Sequence, residues 1–231
     1  MNFKFPKPDL VIFDLDNTLY KYGPSHRKGL QSVSEFAWTE YSIPIKLIKK
    51  EYEIARSQVK ARVNGASSHN RLLYFSELIN RLEYKLDVDV AMTFHNIYWT
   101  AYFSEMKLSE GAQEFLRSLR HRGVQLALVT DNIAQIQYKK LSILKIEKLF
   151  DCVITSEECS NEKISMEPYR LLFKRMRTTE LECLWFIGDE IQDWPSEVSA
   201  KTKIFLASPY AKRIPKGVKK IQTYKDLSSL L

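Results

Sequence analysis

Three apolar runs in this 231-residue chain end in residues that could bind a cation or a phosphate. Asp14 and Asp16 close Leu10-Val-Ile-Phe. Thr130, Asp131 and Asn132 close Gln125-Leu-Ala-Leu-Val. Gly188, Asp189 and Glu190 close Cys183-Leu-Trp-Phe-Ile, with Asp193 four positions past Asp189. Gathered at one place, these carboxylates would repel one another and hold their protons more tightly unless a cation neutralised them. Hard oxygen ligands with no His or Cys beside them point to Mg²⁺. The chain has only seven glycines, and no two are spaced for a GxGxxG or Walker A loop, so a phosphate must be held another way.

The runs themselves read as buried strands, over 9–16, 125–130, 152–155, 183–188 and 203–207. Helix-period stretches alternate with them: Phe115, Leu116 and Leu119; Ile133, Ile136, Lys140 and Leu144; and Tyr169, Leu172 and Phe173 opening at Pro168. This alternation predicts an α/β fold, a Rossmann-like parallel sheet with helices on both faces, whose ligand lies outside the carboxyl ends of the strands. Residues 22 to about 106 lack strand-like runs. Ile45, Ile48, Tyr52, Ala55, Val59 and Val63 form one helical face, Leu72, Phe75, Ile79 and Leu82 a second, and Val90, Phe94, Ile97, Ala101 and Tyr102 a third. Ser25 is the expected N-cap of a first helix through Leu30, Val33 and Ala37. The domains are therefore placed at 1–20 with 109–231 for the core and 21–108 for an inserted all-α domain.

No stretch approaches the roughly 20 apolar residues of a membrane helix. The N-terminus carries no apolar leader, so a cytoplasmic protein is expected. Cys152, Cys159 and Cys183 lack CxxC spacing and read as buried reduced thiols. The formal charge of +7 sits in the insertion and the tail, where Lys212, Arg213, Lys216, Lys219 and Lys220 cluster, and leaves a mildly acidic body. That distribution suits a small anionic ligand better than a nucleic-acid track.

Asp14-Leu-Asp-Asn-Thr18, Thr130, Lys163 and Gly188-Asp-Glu-Ile-Gln-Asp193 resemble, in order, the four motifs of the haloacid dehalogenase superfamily phosphohydrolases. The insertion falls where the subfamily with an α-helical, C1-type cap carries it, and Ile221 to Leu231 is similar to the short strand and helix that finish such domains. The resemblance implies a phosphatase in which Asp14 is the nucleophile and forms an aspartyl-phosphate. Asp16 protonates the leaving oxygen and then deprotonates water. Mg²⁺ is held by Asp14, the Asp16 backbone carbonyl and Asp189, with Asp193 orienting its waters or Lys163. Thr130 and Lys163, with the Asp131–Asn132 backbone, bind the phosphoryl oxygens. Here Lys163 departs from the family pattern: Glu162-Lys-Ile-Ser-Met-Glu-Pro168 replaces Lys-Pro-Asp-Pro.

The expected partner is a small phosphorylated metabolite, a sugar phosphate or nucleotide, with no membrane, nucleic acid unlikely on these grounds, and a monomer or homodimer. Arg27, Arg62, Arg71, His26 and His69 are candidates to face the leaving group, with Tyr20 and Lys21 at the hinge; His95 and His121 have no site role. A phosphomutase of the same fold and a non-catalytic scaffold protein are the alternatives. Asp193 could also cap a helix opening at Trp194-Pro195.

Overall fold

A computed structural model describes residues 5–82, 88–178, 180–195 and 197–228. The chain divides into two compact units, residues 1–21 with 107–231, and residues 22–106.

The first unit is built on six strands, β1 (Leu10–Phe13), β2 (Gln125–Thr130), β3 (Cys152–Thr155), β4 (Cys183–Gly188), β5 (Thr202–Ala207) and β6 (Lys219–Lys220). All neighbours pair in parallel, in the order β3-β2-β1-β4-β5-β6. Every side chain of β1 is buried, which requires cover on both faces. Leu10 and Ile12 pack with Tyr169 and Leu172. Phe13 meets the edge of Phe115 at 6.3 Å on the other side. The order of the strands fixes the site. β1 lies between β2 and β4, with Phe13 opposite both Leu128 and Ile187, so the polar residues after these three strands emerge together at the switch point.

Two details differ from the sequence reading. The last strand is Lys219–Lys220, inside the basic run read as tail, and only the helix Tyr224–Ser228 falls within the closing stretch; residues 229–231 lie outside the described residues. Among the thiols only Cys183 is buried, while Cys152 and Cys159 are half-buried.

Among the described residues the second unit holds the α-helices α1 (Tyr22–Tyr41), α2 (Ile45–Arg62), α3 (Arg71–Arg81) and α4 (Val88–Glu105). α1 begins at Tyr22, so Ser25 sits inside its first turns, buried, rather than capping it. The α4 face runs through Ala91, Phe94, Tyr98 and Tyr102; Phe94 and Tyr102 of the expected face are buried, while Val90, Ile97 and Ala101 are only half-buried, because the large aromatic rings carry the greater buried area. α1 approaches α4 closely at Gly29, where a Cβ would lie 2.8 Å from the Tyr98 ring. Arg81 ties α3 to α2 through Nη2, 2.6 Å from Oε2 of the buried Glu51.

His26 of α1 is enclosed by Tyr98 of α4 (Nδ1 to hydroxyl 2.8 Å), Tyr52, Glu53 and Arg56 of α2, Arg71 of α3, and its own neighbours Tyr22 and Arg27. Burial, then the three guanidiniums, push its pKa down from 6.5 to about 4. The folded state thus resists protonation that the unfolded chain accepts. Stability is full above pH 6.5 and falls as pH drops from 6.5 to about 4, by on the order of 3 kcal/mol. Urea unfolding at pH 7.5 and pH 4.5 should therefore show a smaller acid loss in His26→Gln than in wild type. Parallel losses would refute the assignment.

Candidate active site

In the first unit, the loop after β1 supplies Asp14 and Asp16, and later contacts pin it. Ser208 donates to the Asn17 carbonyl at 2.6 Å and Tyr224 to the Thr18 carbonyl at 3.0 Å. Asn17 takes the left-handed conformation at φ 57°, which Asn adopts more readily than most residues, and so turns the chain sharply after the second acid.

Asp14, Asp189 and Asp193 each place a carboxylate oxygen within 4.8 Å of the others. Asp14 and Asp193 are buried, and Oδ2 of Asp14 has no hydrogen-bond partner. Burial raises the Asp14 pKa well above the usual range; Lys163 opposes this, while Asp193 and Asp189 add to it. Asp189 is pushed up to about 7 by burial and then by Asp193 and Glu190. Three hard oxygen donors, mutual repulsion and an orphaned buried oxygen fit a divalent cation of the Mg²⁺ kind. The described residues past Trp194 form no helix for Asp193 to cap. Asp193 ends a short 3₁₀ turn, Ile191–Asp193, and its Oδ2 accepts the N–H groups of Asp189 and Glu190, both at 2.9 Å. It reaches that position only because residue 188 is glycine: a Cβ there would sit 2.2 Å from the Asp193 Cβ.

Lys163 is buried, with Nζ donating to Asp14 Oδ1 at 2.7 Å and also to Asp193 Oδ1. Burial alone would lower its pKa, but Asp14 and Asp193 raise it well above normal, so it stays charged. The missing proline does not displace it. Lys163–Ser165 form a 3₁₀ turn, Met166 adopts φ 68°, and a helix, Glu167–Met176, starts directly afterwards. Asp131 holds the turn, its Oδ1 accepting the Lys163 backbone N–H at 2.9 Å.

Thr130 is buried, and its Oγ1 accepts from Gln137 Nε2 at 2.6 Å. The Asn132 side chain turns back to the N–H of Ile133 at 2.9 Å, and its own N–H donates to Ser156 at 2.9 Å. The side chains of Asp131 and Asn132 thus shape the loops around Thr130 and Lys163.

The Asp16 carboxylate stands apart from the Asp14, Asp189 and Asp193 group. Its Oδ1 and Oδ2 lie 2.7 and 2.8 Å from Lys140 Nζ, Gln137 donates to it at 3.1 Å, and the Tyr20 hydroxyl donates to Oδ1. Burial would raise its pKa, but Lys140, assisted by Tyr20 and Gln137, lowers it below the usual value. Lys140 and Gln137 lie on the helix Ala134–Leu144. Neither was anticipated as a site residue. The signal was a lysine standing on the apolar stripe Ile133, Ile136, Leu144, a position that charged residues rarely occupy unless paired.

Residues 11–207 match the haloacid dehalogenase-like hydrolase family. The chain is 33% identical over 184 residues to ribulose-1,5-bisphosphate 5-phosphatase of Halopiger xanaduensis, covering 79% of this chain and 77% of that protein. It is 25% identical over 185 residues to glyceraldehyde 3-phosphate phosphatase of Methanocaldococcus jannaschii, covering 78% and 76%. The HAD-hydrolase YfnB of Bacillus subtilis, solved bound to magnesium, superposes with a TM-score of 0.69 over 96% of this chain and 97% of that one, at 19% identity. The chain belongs to the haloacid dehalogenase-like hydrolases. Among the described residues no helix is long and apolar enough to cross a membrane.

Proposed function

We propose that this protein is a Mg²⁺-dependent phosphatase that hydrolyses a small phosphorylated metabolite through an aspartyl-phosphate. The observation that carries the reading is the meeting of Asp14, Asp189 and Asp193 around one point, with Lys163 donating to Asp14 and Asp193. The relatives named for ribulose-1,5-bisphosphate and glyceraldehyde 3-phosphate favour a sugar phosphate over a nucleotide.

Asp14, Asp189 and Asp193 would hold the ion, which supplies charge neutralisation at the phosphoryl oxygens when bound. Asp14 attacks phosphorus as a carboxylate: an O–P bond forms, the bond to the leaving oxygen breaks, and that oxygen takes a proton from Asp16. Water then attacks the acyl phosphate, Asp16 recovers its proton from that water, and Asp14 is released. Lys140 and Tyr20 favour the ionised form of Asp16, the form the second half-reaction needs. Lys163 and the Thr130 hydroxyl bind phosphoryl oxygens, charge-assisted in the case of lysine.

Hydrolysis of an aryl phosphate tests the reading. Phosphate release should require added Mg²⁺ and fall to background in EDTA. Undiminished release in EDTA would remove the metal from the reaction, and isomerisation of a sugar phosphate without phosphate release would make the protein a mutase.

A further inference from the structure

The helical unit buries a charge that no carboxylate among the described residues balances. Arg71, at the start of α3, is 5% exposed. Its Nη1 donates to the His69 carbonyl and its Nη2 to the Tyr22 hydroxyl, each at 2.7 Å, and its guanidinium stacks over the Tyr74 ring at 5.1 Å. Every one of these partners is neutral. Among the described residues no carboxylate pairs with it, and Nε has no hydrogen-bond partner although it is buried. A buried guanidinium cannot shed its proton, so the cost of burying it must be offset by an anion or endured.

The surroundings repeat the pattern. The Tyr52 ring lies 6.0 Å from that of Tyr74, and its buried hydroxyl is also without a partner. Arg56 is close enough to Tyr74 and to Arg71 to interact with both electrostatically, and it repels Arg71. Among the described residues its carboxylate partner is Glu53 at 3.3 Å, which is half in solvent. A guanidinium over the Tyr74 ring, a second one near it, an unpartnered N–H and an unpartnered O–H form a set rich in donors, and among the described residues the carboxylate paired with it is the half-exposed Glu53. The Arg56 side chain, 40% exposed, marks where a ligand would enter.

We propose that the helical unit contains a phosphate-binding site of its own, in which Arg71, Arg56 and the Tyr52 hydroxyl hold a phosphate group. A doubly charged, multi-acceptor oxyanion satisfies both guanidiniums and the orphaned hydroxyl at once, which a single carboxylate does less completely. The site does not depend on the reaction assigned to the first unit. It would bind whether or not Asp14 is a nucleophile.

Equilibrium titration of the full-length protein with inorganic phosphate in EDTA is the test, since carboxylates without metal leave the first unit unfavourable to anions. Wild type should bind one phosphate per chain in a saturable manner and gain in thermal midpoint. Arg71→Gln should weaken binding at least tenfold, and Tyr52→Phe, which removes one oxygen and keeps the ring, severalfold. Thr130→Ala should leave it unchanged. Absence of saturable binding by wild type would overturn the proposal. So would equal binding by both helical-unit variants, or loss on Thr130→Ala alone, which would put the phosphate in the first unit. If Arg71→Gln does not fold, the Tyr52→Phe and Thr130→Ala pair still decides. A parallel titration with glycerol 3-phosphate separates the sources: tighter binding than inorganic phosphate assigns the site to a phosphorylated molecule, and weaker binding to the free ion.

Discussion

Asp14→Asn will lower phosphate release from an aryl phosphate by about 10⁴-fold or more, the scale seen when a covalent nucleophile is removed from a site whose other parts remain. The substitution is close to isosteric. The amide oxygen can still accept from Lys163, which today donates to Asp14 Oδ1 at 2.7 Å, and Lys163 keeps Asp193 as its charged partner. The charge removed is one that burial and two neighbouring carboxylates disfavour. The variant should therefore fold, with a thermal midpoint within a few degrees of wild type, so that lost turnover reports chemistry. Rapid quenching after mixing with labelled substrate should trap a covalent phosphate on wild type and none on the variant. Retention of activity within tenfold of wild type would exclude Asp14 as nucleophile, whatever metal the site holds.

The strand ends were legible because a parallel sheet covered on both faces demands continuous apolar strands, so a polar residue at the edge of such a run stands out. That is why Asp14, Thr130 and Asp189 stand out in the sequence, and the order β2-β1-β4 brings the ends of their strands together. The Asp16 environment was not legible in the same way. Its ion pair joins positions 124 residues apart, and the only local trace was a lysine on an apolar stripe. Lys163 was found by resemblance alone. What fixes it is the Asp131 carboxylate gripping its backbone N–H and the left-handed Met166, neither of which a proline-based pattern contains. The helix details failed for local reasons. Ser25 looked like a cap because Ser is a good one, but Tyr22-Gly-Pro opens the helix three residues earlier. On α4 the expected face holds Tyr102 but also Ile97 and Ala101, which stay half-buried while Tyr98 turns inward with its larger ring.

Lys163→Met should reveal what holds the acidic cluster together. The lysine is 4% exposed, between Asp14 at 7% and Asp193 at 2%, so both ion pairs are shielded from solvent. Removing the cation leaves buried carboxylates facing one another, and breaking a buried pair from one side costs about 3–5 kcal/mol. The cluster can relieve part of this by taking up protons, since Asp14 and Asp189 already titrate high. In metal-free buffer the urea midpoint should thus fall well below that of wild type. Adding Mg²⁺ should then raise the variant's midpoint by more than wild type's, because the ion replaces a charge the variant lacks. Turnover should not recover with stability. Lys163 also neutralises a phosphoryl oxygen, and a lost donor of that kind costs about 10²–10³ in rate. Equal Mg²⁺ gains in the two proteins would mean that the cluster and the ion do not share charge, and the metal would have to be sought elsewhere in the fold.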